Sequence, residues 1–353
     1  MEIYVLDLDA NILDMIDTFT SCIWTTQYYS VNDFQLIVAA TEKNIELLQE
    51  GRLLCRDKDR NENTWKNVML IKSIKIDNDT ENGDTITVTG SGLKYIVSRR
   101  VVWKQTILNG PVEDGIRQII TENIISPEDE KRKMDHFRLA DKIGIEDTFD
   151  VQVMGDNIAE WMETTCSTYG IGWDVFIDNA EFVFQLYKGL DRSYNQQERI
   201  PVVFSDDFDN LLSTTYTYEK GDYKNAALIG GEGEGTDQRT TSIGDAQGFD
   251  RYETYIDGSS VSSNGKIITE EEYYKMLQDY GKNELSNVST TETFEGSTDQ
   301  NGNYVLNKDY FCGDIVQVTN EYGISATPRI TEIIESSDEN GTSVVPTFST
   351  WEV

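Results

Sequence analysis

Apolar and polar positions alternate through the first hundred residues, which predicts strands. Ile3-Tyr4-Val5-Leu6 is a short apolar run closed by the acidic turn Asp7-Leu8-Asp9. Phe34, Leu36 and Val38 alternate with Gln35 and Ile37, as in a largely buried strand. Thr41 can cap a short helix over 41–50 whose apolar side is Ile45, Leu47 and Leu48. Residues 51–56 read as another strand. Residues 68–76 and 84–89 read as hairpin arms around Asn82-Gly83, a pair that tolerates positive φ. In the second arm Ile86 and Val88 alternate with Thr85, Thr87 and Thr89.

The middle of the chain has a helical period. Pro111 opens a helix with Val112, Ile116, Ile119 and Ile120 on one face. Residues 127–150 are charged, without a clear period, and read as a loop. Asp156 caps a second helix over 156–169, with Ile158, Trp161, Met162, Thr165 and Tyr169 on one face and Gly170 ending it. A hairpin follows, Trp173, Val175 and Ile177 facing Phe182, Phe184 and Leu186 across an Asp178-Asn179 turn. Strands return from residue 199, at 215–218 and 226–229 on either side of Gly221-Asp222. A long helix over 269–286 starts with the capping box Thr269…Glu272 and buries Tyr273, Met276, Leu277 and Tyr280. Strands resume at Tyr304, 315–318 and 329–335.

One internal repeat stands out. Gly51 and a strand, then 71–76, then Asn78-Asp79-Thr80-Glu81-Asn82-Gly83 and a further strand form the first copy. Gly313 and a strand, then 330–334, then Ser337-Asp338-Glu339-Asn340-Gly341 and a further strand form the second. The expected architecture is mostly β with an α+β insert. An N-terminal β-barrel spans 1–108, the insert 109–198, and a second β-barrel, carrying the long helix, 199–353.

Composition narrows the function. The 353 residues hold 63 acidic against 30 basic side chains, a formal net charge of -33, so a phosphate-binding surface is disfavoured. The 18 tyrosines and other aromatics mark a chain that folds. No apolar run is long enough to span a membrane. Met1-Glu2-Ile3-Tyr4 shows no secretory signal, and the expected setting is cytosolic with reduced thiols at Cys22, Cys55, Cys166 and Cys312. The single histidine, His136, lies in a charged loop. Its solitude disfavours zinc sites and His-dependent triads. The glycine-rich run 230–235 lacks the Lys-Ser/Thr of a phosphate loop and holds two glutamates. Asp57-Lys58-Asp59-Arg60-Asn61 and Asp77-Asn78-Asp79-Thr80-Glu81 resemble calcium loops but lack the glycine at the sixth position. The carboxylates are too many to single out a catalytic pair. Arg99-Arg100, Arg251 and Arg329, scarce cations in acidic or apolar surroundings, are expected to form ion pairs within the fold or between subunits.

A resemblance rests on an ordered set of short motifs. The N-terminal part has Cys22-Ile23-Trp24, Tyr28-Tyr29, Asp33-Phe34-Gln35-Leu36, Val88-Thr89-Gly90-Ser91-Gly92-Leu93 and Arg99-Arg100-Val101-Val102-Trp103. The C-terminal part has Asn225-Ala226-Ala227, Asp250-Arg251-Tyr252-Glu253-Thr254-Tyr255-Ile256-Asp257, Gly313-Asp314, Arg329-Ile330-Thr331-Glu332 and Pro346-Thr347-Phe348. Together they resemble the siphovirus tail-hub family, proteins at the tail tip of phages and prophages of Gram-positive hosts. Gln27 stands where that pattern has an arginine, and Gly258-Ser259 where it has Ala-Arg.

The resemblance implies a structural hub without cofactor, metal or catalytic residue. It implies a homotrimeric ring of two barrels per chain, joining distal tail protein and tail tube above to fibre, spike or lysin below. The tape measure protein or passing DNA would occupy the lumen, at the virion tail tip, after assembly in the host cytoplasm. Because the sequence stops at Val353, soon after the last motif, the expectation is a hub without an appended lysin. Expected interface residues are Trp24, Arg99, Arg100, Trp103, Arg251, Glu253, Asp257, Arg329 and Glu332. If part of the negative charge lines the lumen, it repels DNA. A peptidoglycan hydrolase acting through carboxylates and an acidic calcium-holding adhesin remain open as alternatives.

Overall fold

The computed structural model describes residues 1–79, 83–208, 210–263, 265, 268–286, 288, 291–298, 303–323 and 325–349, with backbone alone for 212, 291–298 and 349. Asp7 closes the first turn by accepting the Asp9 and Asn11 amides, so β1 (Ile3–Leu6) turns back into β2 (Ile12–Ile16). The sequence pattern hid β2 because its Ile12 and Leu13 face solvent. β3 (Ser21–Gln27) and β4 (Asp33–Ala39) follow, then α1 (Glu42–Leu47), capped by Thr41 as expected. β5 (Leu53–Arg56), the two-residue β6 (Thr64–Trp65), β7 (Met69–Asp77) and β8 (Thr85–Gly92) complete the region. The predicted turn at Asn82 lies outside the described residues, though Gly83 beside it has φ +84°.

The insert begins with β9 (Thr106–Pro111) and α2 (Val112–Ile120), with Pro111 at the helix cap. The charged stretch 127–150 read as a loop holds the short strand β10 (Phe137–Leu139), and its end opens β11 (Thr148–Val153), in which Phe149, Val151 and Val153 alternate. β10 is fixed by pairing with residues 182–184, and β11 by pairing with β9. α3 (Ile158–Tyr169) is capped by Asn157, not Asp156: the Asn157 Oδ1 accepts the Ala159 amide at 3.0 Å. Gly170 ends it at φ +62°. β12 (Gly172–Asp178) and β13 (Glu181–Tyr187) turn through Asn179-Ala180, both with positive φ, one residue beyond the expected turn.

Residues beyond 199 supply two separate cores. β14 (Val203–Ser205) and β15 (Leu211–Glu219) come first. β16 (Ala226–Gly230), β17 (Thr240–Ile243) and β18 (Glu253–Asp257) form a small sheet covered by α4 (Glu270–Ser286), whose Tyr273, Met276 and Leu277 pack on Ile229 and Ile256. The Thr269–Glu272 capping box is present. The chain then returns through β19 (Thr291–Thr298), β20 (Gln317–Thr319), β21 (Ser325–Ala326), β22 (Arg329–Asp338) and β23 (Gly341–Ser349). Tyr304, expected in a strand, lies in irregular chain held by a Leu306–Tyr310 bridge. Among the described residues no helix is long and apolar enough to cross a membrane.

The architecture is mostly β with an α+β insert, and no closed barrel forms among the described strands. Instead one sheet of eleven strands runs β15-β19-β23-β22-β3-β4-β8-β7-β5-β1-β2. It contains the same antiparallel unit twice, β3-β4-β8-β7 and β15-β19-β23-β22. One row across the first copy, Trp24-Phe34-Gly90-Ile71, corresponds to Tyr216-Phe294-Phe348-Ile330 in the second. A bulge interrupts β7 between Ile71 and Ser73, and β22 between Ile330 and Glu332. The Gly51 amide donates to the Ile71 carbonyl and the Gly313 amide to the Ile330 carbonyl, both glycines having positive φ. These matched details make the internal repeat a structural duplication.

Each copy buries one face of its sheet. Trp24, Phe34, Leu36, Ile86 and Val88 belong to the first core, and Ile330, Ile333 and Phe348 to the second. The opposite face of the duplicated unit carries Thr85, Thr87, Thr89, Ser73, Ser336, Ser343 and Thr347, which are adjacent through the strand registers.

Candidate functional site

The two copies meet where β22 pairs with β3, and this seam holds a cluster of largely buried charges. Trp24 stands opposite Glu335 in the ladder. Arg56, at the end of β5 and 1% exposed, reaches under the seam from the first copy. Its Nε bonds Asp59, its Nη1 bonds Glu335 at 2.8 Å, and its guanidinium carbon lies 4.8 Å from the Trp24 ring centre. Lys58 also bonds Glu335. Burial pushes the Glu335 carboxyl up, but the Arg56 and Lys58 charges outweigh it and hold the group below its usual range. Asp59 is pushed up by burial despite Arg56. A cavity of about 680 Å³ opens beside the cluster, between Trp24, Arg56 and Glu335 on the sheet and Met1, Leu306 and Tyr310 opposite. Composition gave no signal for this cluster. The repeat alone did not point to it either, because the joint exists only once the two copies share one sheet.

The outer edges of the duplicated unit are open. β5 pairs with β7 only at Leu53–Leu70 and Leu54–Met69, which leaves residues 72–77 of β7, paired with β8 on one side, with no described strand on the other. β15 has β19 on one side and no described strand on the other. Ile76 is 53% exposed and Tyr218 50%.

The residues expected at interfaces scatter over the molecule. Trp24 is fully buried, its Nε1 donating to the Asn67 carbonyl, so it serves the seam and not an outer surface. Arg99 is exposed beside the Tyr95 ring, and Arg100 donates to the Arg132 and Arg99 carbonyls. Trp103 is 61% exposed, with Arg132 stacked 4.8 Å from its ring centre. Arg251 pairs with Glu253 at 2.7 Å and bonds the Gly244 and Ala246 carbonyls. Asp257 accepts the Ser259 amide, which with the Ser259 side chain lowers its carboxyl pKa. Arg329 donates to the Gly313 carbonyl at 2.6 Å and lies over Tyr28. Within the chain, therefore, Arg251 forms the expected ion pair, whereas Arg100 and Arg329 bond main-chain oxygens.

Both departures from the resemblance have a local reason. Gln27 donates its Nε2 to Glu332, so a hydrogen bond from an uncharged amide to a carboxylate crosses the seam where an arginine would make an ion pair. The other Glu332 oxygen accepts from Thr347 at 3.0 Å. A Cβ on Gly258 would lie 2.6 Å from Leu277 Cδ1, which leaves no room for alanine there.

The other candidates resolve locally. Asp57 and Asp59 face Arg60 and Arg56, and the calcium-like loop that follows β7 lies partly outside the described residues. Among the described residues no group of His, Cys, Asp or Glu is arranged to hold a metal ion. His136 is exposed in a turn with φ +58°. The four cysteines are free; burial pushes the Cys22 thiol up to about 11 and Cys312 up to about 12. A second cleft of about 320 Å³ lies between α3 and α4, lined by Asp156, Trp161, Tyr169, Tyr280 and Glu284. Burial, then the nearby Asp156 charge, raises the Glu284 carboxyl pKa.

Comparison with solved structures finds the same fold in tail proteins. The 43 kDa tail protein of prophage MuSo2 from Shewanella oneidensis aligns with a TM-score of 0.59 at 14% identity, covering 99% of this chain and 98% of that one. A tail protein from Neisseria meningitidis MC58 aligns at 0.59 and 11% identity, covering 98% and 95%. Prophage tail protein gp18 from Listeria monocytogenes EGD-e aligns at 0.53 and 13% identity, covering 99% and 94%. A search of curated proteins gives no match. The family model described as Siphovirus ReqiPepy6 Gp37-like protein matches residues 2–348, and with the duplicated tail-protein fold this places the chain in that siphovirus family.

Proposed function

We propose that this phage tail protein is the hub of a tail tip, a homotrimeric ring of six four-stranded units. The observation that carries the reading is the duplication: one seam is made inside the chain, and the unit ends in open edges at β7 and β15. Repeating one seam around an axis closes a ring and leaves no edge to aggregate. Distal tail protein and tail tube would lie above, and fibre, spike or lysin proteins below. The tape measure protein, and later DNA, would occupy the lumen without specific binding. The role is structural, at the virion tail tip, after assembly in the host cytoplasm.

Light scattering at low and moderate salt tests the ring. The expected mass is three times 40.1 kDa, with trimers favoured by salt because screening weakens repulsion between chains of charge -33. A strict monomer at every concentration and salt refutes the ring.

A cell-wall hydrolase is the second reading, favoured by the raised Glu284 beside Asp156 in an aromatic-lined cleft. It predicts clearing of purified Gram-positive cell walls, abolished by Glu284→Gln. Absence of clearing by the unmodified protein removes it.

A further inference from the structure

The duplication specifies how one chain meets the next, residue by residue. Within the chain, the third strand of one copy, β22, pairs with the first strand of the other, β3. The corresponding strands at the open edges are β7 and β15. The matched bulges set the correspondence on one side, so that Ser73, Ile74, Lys75 and Ile76 take the places of Glu332, Ile333, Ile334 and Glu335. On the other side the Trp24–Phe34 and Tyr216–Phe294 pairs make Tyr216, Thr217, Tyr218 and Glu219 the counterparts of Trp24, Thr25, Thr26 and Gln27.

We infer that β7 of one protomer pairs antiparallel with β15 of a second copy of this chain, in the register of the internal seam. That register sets Ile76 opposite Tyr216, Lys75 opposite Thr217, Ile74 opposite Tyr218 and Ser73 opposite Glu219. Three observations support it. The internal seam is antiparallel and continuous from Glu332–Gln27 to Asp338–Ser21, and both open edges keep the strand conformation that extends it. Ile76 and Tyr218, each about half exposed in the single chain, would be covered together with Ile74. The chemistry of the joint also changes consistently. Glu335 corresponds to Ile76, and by the Gly51–Gly313 match Arg56 corresponds to Val318. Charges that one chain can bury at leisure during folding are replaced, between chains, by an apolar contact that needs no paired desolvation.

The inference rests on the ring reading, and disulfide trapping separates the two. Lys75→Cys and Thr217→Cys stand on opposite edges of eight strands, about 34 Å apart along the sheet at ~4.8 Å per step, so a bond between them must join two chains. Opposed positions in a ladder meet the Cα separation of a disulfide, whereas positions two residues off exceed it. The full-length double variant is oxidised and run without reductant, beside Lys75→Cys with Thr215→Cys. The expected result is trimer-sized product for the first pair and at least about tenfold less for the second. Trimers by light scattering with no such preference overturn the register but leave the ring standing. Absence of trimers by light scattering overturns both. An Ile76→Lys variant provides a check without cysteines: it should raise the assembly Kd at least about tenfold while the single chain keeps its thermal unfolding, and unchanged assembly overturns the seam.

Discussion

Replacing Arg56 by methionine is the sharpest perturbation of the internal seam. The change removes the hydrogen bonds to Asp59 and Glu335 and the stacking on Trp24, while keeping much of the aliphatic bulk. Two largely buried carboxylates, 6% and 12% exposed, are then left with Lys58 alone. Breaking a buried pair from one side costs about 3–5 kcal/mol, because the remaining charge is uncompensated. The half-exposed Arg251–Glu253 pair gives an internal standard, since Arg251→Ala should cost no more than about 1 kcal/mol. The protein has several cores that can unfold separately, so the assay is amide exchange along β3 and β22 and not one global melt. A loss of ~3 kcal/mol corresponds to exchange roughly a hundredfold faster on those strands. The triple replacement Arg56→Met, Asp59→Leu, Glu335→Met should recover most of the protection, because an apolar joint of similar volume avoids the desolvation. Exchange in Arg56→Met faster by less than fivefold, or a triple variant no better than the single one, would refute the reasoning.

Cys22 and Cys312 have folded pKa values above the ordinary 9.0, so their contribution to stability is complete below that value and is lost as pH rises toward 11–12; Tm should fall on the alkaline side, less steeply in Cys22→Ala. Gly313→Ala places a Cβ 2.2 Å from Tyr28 at φ +102° and should cost about 3 kcal/mol, whereas Gly51→Ala, with open space at φ +82°, should cost about 1–2 kcal/mol; thermal shift compares the two. Glu284→Gln should stabilise the molecule at neutral pH by up to about 1 kcal/mol after solvent screening. The folded carboxyl has a raised pKa, so wild type gains stability as it protonates, and the Tm difference should close as pH falls toward 4.5; a difference independent of pH would count against this cause.

Local chemistry made much of the fold legible. The Thr269–Glu272 box, the Gly170 stop and the alternating β8 each act within a few residues, so the sequence displays them directly. Elements made by distant partners were harder to see. β2 exposes its apolar residues at a sheet edge, β10 is too short to show a period, and the Phe149-Val151-Val153 alternation of β11 straddles the end of the charged stretch. The paired Gly51 and Gly313 turns carried the repeat into sequence, since a bulged strand beside a positive-φ glycine leaves a residue signature. That the copies share one sheet is invisible locally, because strand order depends on closure between Glu332 and Gln27, 305 residues apart. For the same reason Trp24, expected at an interface, serves an internal joint, and no local motif marks Arg56 and Glu335 as its partners.

The hydroxyl-bearing face of the duplicated unit has a consequence for what can move along it. Residues 1–108 hold 16 acidic and 12 basic side chains, so much of the acidity belongs to the rest of the chain. On the sheet face away from the cores, Thr85, Thr87, Thr89, Ser336, Ser343 and Thr347 present neutral oxygens. Two lysines share that face, Lys72 beside Ser91 and Lys75 opposite Thr87, the latter paired with Asp77. If that face lines the proposed lumen, a phosphate polymer passing it finds few cations whose pairing would release condensed counterions, and few carboxylates to resist its approach. Hydroxyls exchange partners with water at little net cost. Passage along such a wall would therefore vary weakly with ionic strength, the behaviour of a wet bearing and not of an electrostatic track.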